Sequence, residues 1–238
     1  MIPIRDINPT RTAPVITLVL IAINVGIFFF VQQPQDAAAE AEFLYERAVV
    51  ACEITDGGPV SLREVETARC GLAGPPIFPD KNVYLAAFTS LFLHGGVLHL
   101  LGNVWFLWIF GNNVDEAFGK PGYLLLYLAA GLAATAGFIV GNPGSTVPLI
   151  GASGAIAGVL GAYALLFPRH RVLALVFVVF APVPSVVFLA IWFGTQFLVQ
   201  SAAVAWEAHV VGFIFGMAAT AVLRRPLLVR LARIHQPI

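Results

Sequence analysis

Residues 121–168 read PGYLLLYLAAGLAATAGFIVGNPGSTVPLIGASGAIAGVLGAYALLFP, a run of 48 residues without a charged side chain. A membrane-spanning helix needs about 20 apolar residues, because it rises ~1.5 Å per residue through a hydrocarbon core about 30 Å thick. The tract is therefore too long for one span. Its segment 141–148, GNPGSTVP, is rich in the Gly, Pro, Asn and Ser residues typical of a tight turn. The tract thus predicts two helices joined by a reversal.

Four further uncharged tracts extend this pattern along the chain. They cover residues 12–35, 82–114, 172–206 and 208–223, which are 24, 33, 35 and 16 residues long. Each tract predicts one helix, so the total is six. The expected fold class is an all-α membrane protein, a six-transmembrane-helix bundle in which residues 1–238 form a single domain.

The overall composition agrees with a membrane protein. Of the 238 residues, 59% are hydrophobic and 11% are charged, whereas soluble domains have roughly 45–50% apolar and about 25% charged residues. Thirteen basic residues balance thirteen acidic ones, so no net charge points to a nucleic-acid partner. An ordinary soluble enzyme and a disordered chain are both excluded.

The distribution of Lys and Arg predicts the orientation in the membrane. With a cytoplasmic N-terminus, nine basic residues fall in inside segments and four fall outside, all of the latter in one loop that also holds nine acids. Both termini are therefore expected to be cytoplasmic. Residues 224–238 would form a basic cytoplasmic tail, either an interfacial helix or a frayed end.

Residues 32–81 form the extracytoplasmic loop between the first two predicted helices. The loop contains both cysteines, Cys52 and Cys70. A disulfide is plausible on an oxidising face, and two free or buried thiols are an equally open alternative. Two soft ligands argue against a metal site.

Strongly polar residues inside membrane spans are costly and therefore suggest function. Any single polar residue can instead serve only to form a hydrogen bond between two helices. However, His99, Asn103, Ser153 and His209 all fall in the outer half of the membrane, on three different helices, and the first two share a helix face at i, i+4 spacing. The polar residues singled out inside the spans are Asn24, His94, His99, Asn103, Ser153, Thr195, Gln196, Gln200 and His209.

Glycines near Ser153 and His209 show how the two side chains could meet. GASGAIAGVLGAY (151–163) carries four glycines, and Gly212 and Gly216 have GxxxG spacing. Small residues at this spacing let membrane helices approach closely, as a hydroxyl–imidazole hydrogen bond requires. Packing of the bundle alone would explain the same pattern.

Three sequence blocks resemble the rhomboid intramembrane serine proteases. They are HGGVLHLLGNVWFLWIFG (94–111), GASG (151–154) and AHVVGFIFG (208–216). The resemblance implies that Ser153 is the nucleophile and His209 its general base. His99, Asn103 and the Ser153 backbone N–H would stabilise the oxyanion, while His94, Gly151 and Gly154 would support the site. No metal or organic cofactor is implied.

The chain departs from some bacterial rhomboids at two places. A tyrosine that stacks on the histidine is replaced by Ala157, and a Trp-Arg pair before the second helix is replaced by Leu85 and Ala86. Glu207 lies two residues before His209, a spacing that does not share a helix face. We therefore expect a Ser–His dyad whose histidine is oriented by an unidentified group.

By resemblance, the substrates are transmembrane proteins cut in or near their spans. The enzyme would be a multi-pass protein of the cell (inner) membrane, in contact with lipid, and a monomer would suffice for the site. The fifth helix, with Pro182, Pro184 and the run WFGTQF (192–197), is a hypothetical lateral gate against the second helix. Lipid-facing aromatic residues are an equally good interpretation of that run.

Two other functions compete with proteolysis. A catalytically inactive rhomboid-like binder of transmembrane helices would be expected to lack the serine or the histidine, and this chain has both. A small transporter or channel would be expected to carry charged residues near the middle of the membrane, and the uncharged tracts hold none.

Overall fold

The computed structural model describes residues 1–33, 36–198 and 204–236. The chain is mostly helical, at 66%, but the all-α prediction is wrong in one respect. Strands β1 (Ile2–Asp6), β4 (Arg171–Val176) and β5 (Val179–Pro184) form an antiparallel sheet in the order β1-β4-β5. A second, two-stranded sheet pairs β2 (Val49–Val50) with β3 (Pro148–Leu149).

Among the described residues, three helices are long and apolar enough to cross a membrane: Val15–Gln32, Val97–Gly141 and Trp206–Ile234. The first consists of α1 (Val15–Gly26) and a π-helical turn, Ile27–Gln32. A helix satisfies its own backbone hydrogen bonds, which hydrocarbon cannot do. The apolar tracts therefore form helices whose outer faces stay exposed in the isolated chain, as at Phe30 and Leu98.

The loop after α1 folds into a small disulfide-linked unit. It contains α2 (Ala37–Arg47), β2, α3 (Ala51–Asp56) and α4 (Leu62–Thr67). Cys52 and Cys70 are joined, with a sulfur–sulfur distance of 2.09 Å, which settles the alternative left open by the sequence. Glu53 and Lys81 form an ion pair of 2.6 Å whose side chains are each 1% exposed.

Glu64 organises the second half of this loop. Ser61 caps α4 and donates to the Glu64 carboxylate from its backbone and its hydroxyl, both at 2.8 Å, and Gly71 N–H donates at 2.8 Å. Burial opposes ionisation of this carboxyl, but these hydrogen bonds outweigh burial and hold the pKa of Glu64 below its ordinary value of 4.5. The ionised Glu64 carboxylate therefore stabilises the folded loop at pH values above 4.5. This stabilisation is lost as the pH falls through the lowered pKa and the carboxyl becomes protonated.

The tract 82–114 does not form the single helix expected from its length. α5 (Val83–Thr89) and a 3₁₀ turn, Ser90–Phe92, come first, and α6 (Val97–Gly141) follows after a break. α6 is itself two helices, because Gly119 has a non-helical backbone at φ 70° and ψ 164°. The segments 97–118 and 120–141 are antiparallel, since Asn103 near the start of one and Phe138 near the end of the other line the same cavity.

α7 (Ser153–Leu166) is the buried centre of the bundle, with every residue from 154 to 163 buried. It packs against both segments of α6 and against α9 (Trp206–Ile234). The predicted reversal at 141–148 is present, because α6 ends at Gly141 and α7 begins at Ser153.

The predicted fifth helix is shorter than its apolar tract. α8 (Ser185–Gln196) follows a β-hairpin, so Pro182 lies in β5 and Pro184 is the residue that precedes the helix. The expectation that α8 carries both prolines is wrong. Proline cannot donate a ladder hydrogen bond, which fits the position of β5 at the edge of the sheet.

Glu116, near the reversal at Gly119, ties the two ends of the chain together. Its carboxylate accepts from the backbone N–H groups of Arg11 and Thr12 and lies 2.7 Å from Nε2 of His235. The N-terminal segment and the end of α9 therefore lie at the same end of the bundle. The disulfide-linked loop lies at the other end, where Cys52 N–H donates to the Ser145 carbonyl at 3.0 Å.

Candidate active site

Ser153 is the first residue of α7, and the loop before it is held on both sides. β3 pairs with β2 of the disulfide-linked loop, and Gly151 N–H donates to the Ser90 carbonyl at 2.9 Å. Gly151 has φ +124°, which favours glycine. A Cβ there would lie 2.9 Å from Cε1 of His99, so a side chain is excluded by the ring as well as by the backbone.

His209 lies in the first turn of α9, opposite Ser153. Its Nε2 is 2.7 Å from Oγ of Ser153. The two helices come this close because glycines face each other. A Cβ at Gly212 or Gly216 would collide with the backbone carbonyl of Gly154 or Gly158. Gly154 is further limited by Ala134 of α6.

His99 and Asn103 face the same space from the first segment of α6. His99 Nδ1 accepts from Gly95 N–H at 3.3 Å, so the proton of a neutral ring is on Nε2, the atom next to Gly151. Asn103 is 7% exposed. Its Nδ2 has no hydrogen-bond partner among the described residues.

These four side chains line one cavity of about 1040 Å³. Residues of the loop between α6 and α7 and the start of α9 complete its wall, among them Ser145, Ile150 and Trp206. A buried unpaired donor, and a serine bonded to an imidazole beside a roomy cavity, are parts that acyl transfer requires.

His94 lies one layer behind His99. It is fully buried, its ring centroid is 5.3 Å from that of His99, and its Nδ1 is 3.2 Å from the Phe92 carbonyl. The side-chain amide of Gln32 bonds both the backbone N–H and the carbonyl of His94. His94 is therefore a direct neighbour of His99.

Gln196 contacts the site, although sequence reasoning gave it no role. Its Oε1 is 2.7 Å from Nδ1 of His209. The sequence singled out Gln196 only as a polar residue in an apolar tract. The same description applies to Gln200, which lies outside the described residues. Glu207 instead accepts from Asn142 at 3.2 Å.

The aromatic residues of α8 pack against neighbouring helices. The Trp192 ring centroid is 6.3 Å from that of Phe106 on α6 and 6.2 Å from the His209 ring. Ala157, at the position where some relatives have a tyrosine, is fully buried. α8 therefore contacts the first segment of α6 beside the cavity, and the lateral gate stays a prediction.

A family model described as the rhomboid domain matches residues 81–226. This chain belongs to the rhomboid family. The match covers every residue that lines the cavity, while Cys52 and Cys70 of the disulfide-linked loop lie before it. Its apolar helices and its family make this rhomboid an integral membrane protein.

Three curated proteins illustrate the relationship of this rhomboid to others. "Rhomboid protease GluP" of Bacillus subtilis is 35% identical over 140 residues, covering 58% of this chain and 26% of the relative. "Rhomboid protein 1, mitochondrial" of Saccharomyces cerevisiae is 30% identical over 143 residues, covering 56% and 40%. "Putative rhomboid protease YdcA" of Bacillus subtilis is 37% identical over 75 residues, covering 32% and 37%. The chain thus matches well under half the length of each of these relatives.

Proposed function

We propose that this rhomboid is an intramembrane serine endopeptidase that cleaves transmembrane proteins in or near their spans. The observation that carries the proposal is the 2.7 Å approach of Ser153 Oγ to His209 Nε2 at the wall of the cavity. Two of the relatives described above are named as proteases, which supports the same reaction class.

The proposed chemistry follows from the two side chains. Ser153 Oγ bonds to the scissile carbonyl carbon while its proton moves to His209 Nε2. The C–N bond then breaks, and the imidazolium gives that proton to the leaving amine. Water hydrolyses the resulting acyl-enzyme in the same way, with His209 again as the base. No metal or organic cofactor takes part in this scheme.

His99, Asn103 and the Ser153 backbone N–H are the proposed oxyanion donors. Charge develops on the carbonyl oxygen in the transition state, and fixed donors stabilise it there most strongly. Asn103 Nδ2 has no acceptor in the described part of the chain, so an oxyanion would satisfy it. His94 supports His99, and Gly151 and Gly154 leave room for this arrangement.

The proposed topology has six spans with both termini in the cytoplasm. The spans are α1 with its π-helical turn, the two segments of α6, and α7, α8 and α9. α7 has 14 residues, or about 21 Å at ~1.5 Å per residue, which is shorter than a hydrocarbon core of about 30 Å. If α7 ends at the cytoplasmic boundary, Ser153 lies several ångströms below the outer one, and water would reach it through the cavity.

In this arrangement, residues 32–81 form the extracytoplasmic loop and residues 224–238 the cytoplasmic tail of one domain, 1–238. The cell (inner) membrane is the proposed location, and membrane lipid surrounds the exposed apolar faces. A single chain supplies all the proposed site residues. Transmembrane proteins are the proposed partners.

A fluorophosphonate probe tests the proposal directly, because it reacts with an activated serine whatever the natural substrate. We expect detergent-purified protein to be labelled at Ser153, as located by mass spectrometry, and Ser153→Ala to abolish both labelling and cleavage of a single-span substrate. Ser185→Ala is the matched control, because the Ser185 hydroxyl donates to the Phe167 carbonyl at 2.5 Å. This variant should still be labelled at Ser153. An unlabelled wild-type protein with a normal melting temperature would indicate a rhomboid-like binder of helices.

A further inference from the structure

The side-chain amide of Gln196 makes two hydrogen bonds that fix its orientation. Gln196 Nε2 lies 3.1 Å from the backbone carbonyl of Trp192, one turn earlier in α8. A carbonyl can only accept, so this end of the amide must be the NH₂ group. The opposite end, Oε1, then faces Nδ1 of His209 at 2.7 Å.

This orientation determines where the His209 ring carries its proton. An amide oxygen can only accept, so the 2.7 Å contact requires a hydrogen on Nδ1. In a neutral imidazole, Nε2 is then unprotonated and its lone pair points at Ser153 Oγ, 2.7 Å away. This is the tautomer that a general base for the serine needs.

We infer that Gln196 is the positioning residue that holds His209 in its base tautomer and ring orientation. The inference rests on the proposed function. In a Ser–His–Asp triad, a carboxylate performs this task. An amide performs it here without placing a charge among apolar helices, where ionised groups are costly.

Other groups near His209 are engaged elsewhere or have the wrong chemistry. Glu207, the nearest carboxylate in sequence, pairs with Asn142. The Trp192 ring is 6.2 Å from the imidazole at 36°, so it limits ring tilt but cannot select a tautomer. Within the described residues, Gln196 is the hydrogen-bond partner of Nδ1.

The neighbouring Thr195 provides a matched control. Its hydroxyl donates to the same Trp192 carbonyl at 2.6 Å. Thr195→Val therefore removes a bond to the same backbone atom without removing a contact to His209. A purely structural role at the end of α8 would make both residues similarly important, whereas a positioning role requires only Gln196.

The experiment measures the rate of fluorophosphonate labelling at Ser153 against pH for the full-length wild-type protein, Gln196→Met, Gln196→Glu and Thr195→Val. Methionine keeps the length of the side chain but has no oxygen. We expect Gln196→Met to slow labelling about 10- to 100-fold at an unchanged melting temperature, and Thr195→Val to label within about twofold of wild type. Gln196→Glu should restore most of the rate and move the acid limb of the profile to higher pH, because a carboxylate stabilises the imidazolium.

The possible outcomes separate the two proposals. Equal slowing by Gln196→Met and Thr195→Val, or an unchanged rate in Gln196→Met, overturns the positioning role while leaving a reactive Ser153. If Gln196→Met does not fold, the pH profile of Gln196→Glu decides, and an unshifted acid limb overturns the inference. A wild-type protein that is not labelled at Ser153 overturns the proposed function itself.

Discussion

At the scale of single residues, Asn103 carries a buried amide nitrogen without an acceptor among the described residues. Leaving such a donor unsatisfied costs about 1–3 kcal/mol, and native proteins seldom retain one without a reason. The nitrogen belongs to a side chain that lines the cavity next to Ser153. A substrate oxyanion would recover the cost at the moment when negative charge develops.

Replacing Asn103 should therefore affect cleavage and spare the fold. We expect Asn103→Ala to lower kcat for a single-span substrate about 100-fold, with a melting temperature equal to or above that of wild type. Asn113, on the same segment of α6, is the control because its amide donates to Asp6 at 2.6 Å. Asn113→Ala should lower the free energy of unfolding by about 1–3 kcal/mol with kcat unchanged. Equal kcat in Asn103→Ala and wild type would argue against the oxyanion role.

Sequence reasoning found some residues of the site and missed another for a physical reason. Ser153 and His209 stand in recognisable blocks, and the i, i+4 spacing of His99 and Asn103 could be read directly. Gln196 belongs to no such block, and its contact with His209 exists only because α8 and α9 pack side by side. Spacing along one helix cannot reveal a pairing between helices.

At the scale of secondary-structure elements, α7 and α9 contact each other through backbone atoms at glycine positions. Gly212 and Gly216 face the carbonyls of Gly154 and Gly158, where even one methyl group would collide. The close approach supplies dispersion contacts in a solvent that offers no hydrophobic driving force between helices. The same approach sets the distance between Ser153 and His209.

A methyl group in this interface should cost both stability and function. We expect Gly216→Ala to lower the free energy of unfolding by about 1–3 kcal/mol and to reduce fluorophosphonate labelling, because the helices must separate. Gly194→Ala in α8 is the control, since its Cβ would have no neighbour within 4 Å. There, alanine should be neutral or stabilising by up to about 1 kcal/mol. Thermal unfolding in detergent compares the two, and equal melting temperatures would contradict the packing account.

The boundaries of several elements could not be predicted from the sequence. Absence of charge located the tracts, and the Gly- and Pro-containing reversal before α7 was visible in the sequence. The β-hairpin formed by β4 and β5 was not, because RVLALV and VFAPVP are as apolar as a membrane helix. Short apolar runs cannot be assigned to helix or strand by hydropathy alone.

At the scale of the whole molecule, the polar connections divide between two opposite ends. Arg11, Thr12 and His235 converge on Glu116 at one end. The disulfide-linked loop packs against the loop before Ser153 at the other. An even number of membrane crossings would place both termini on one side, and the excess of Lys and Arg at that end predicts that the side is cytoplasmic.

Reporter fusions to the full-length chain can check this orientation. Green fluorescent protein at the C-terminus should fluoresce, because it folds in the cytoplasm. Alkaline phosphatase at the same place should be inactive, because it folds only on the opposite side of the membrane. Alkaline phosphatase inserted after Gly57, at an exposed turn of the loop, should be active. The reverse pattern would place the proposed active site on the cytoplasmic face.

The abrupt reversal at Gly119 has a consequence for how rhomboids of this type can vary. Only Gly119 departs from helical geometry at this corner. The number of residues in each segment of α6 therefore determines which side chains of the second segment face α7. One inserted residue would turn the helix after it by about 100° and swing Ala134 away from Gly154. Insertions are therefore better tolerated in the 142–152 connection. The corner at Gly119, in contrast, fixes the rotation of the helix that carries Ala134 relative to the helix that carries Asn103.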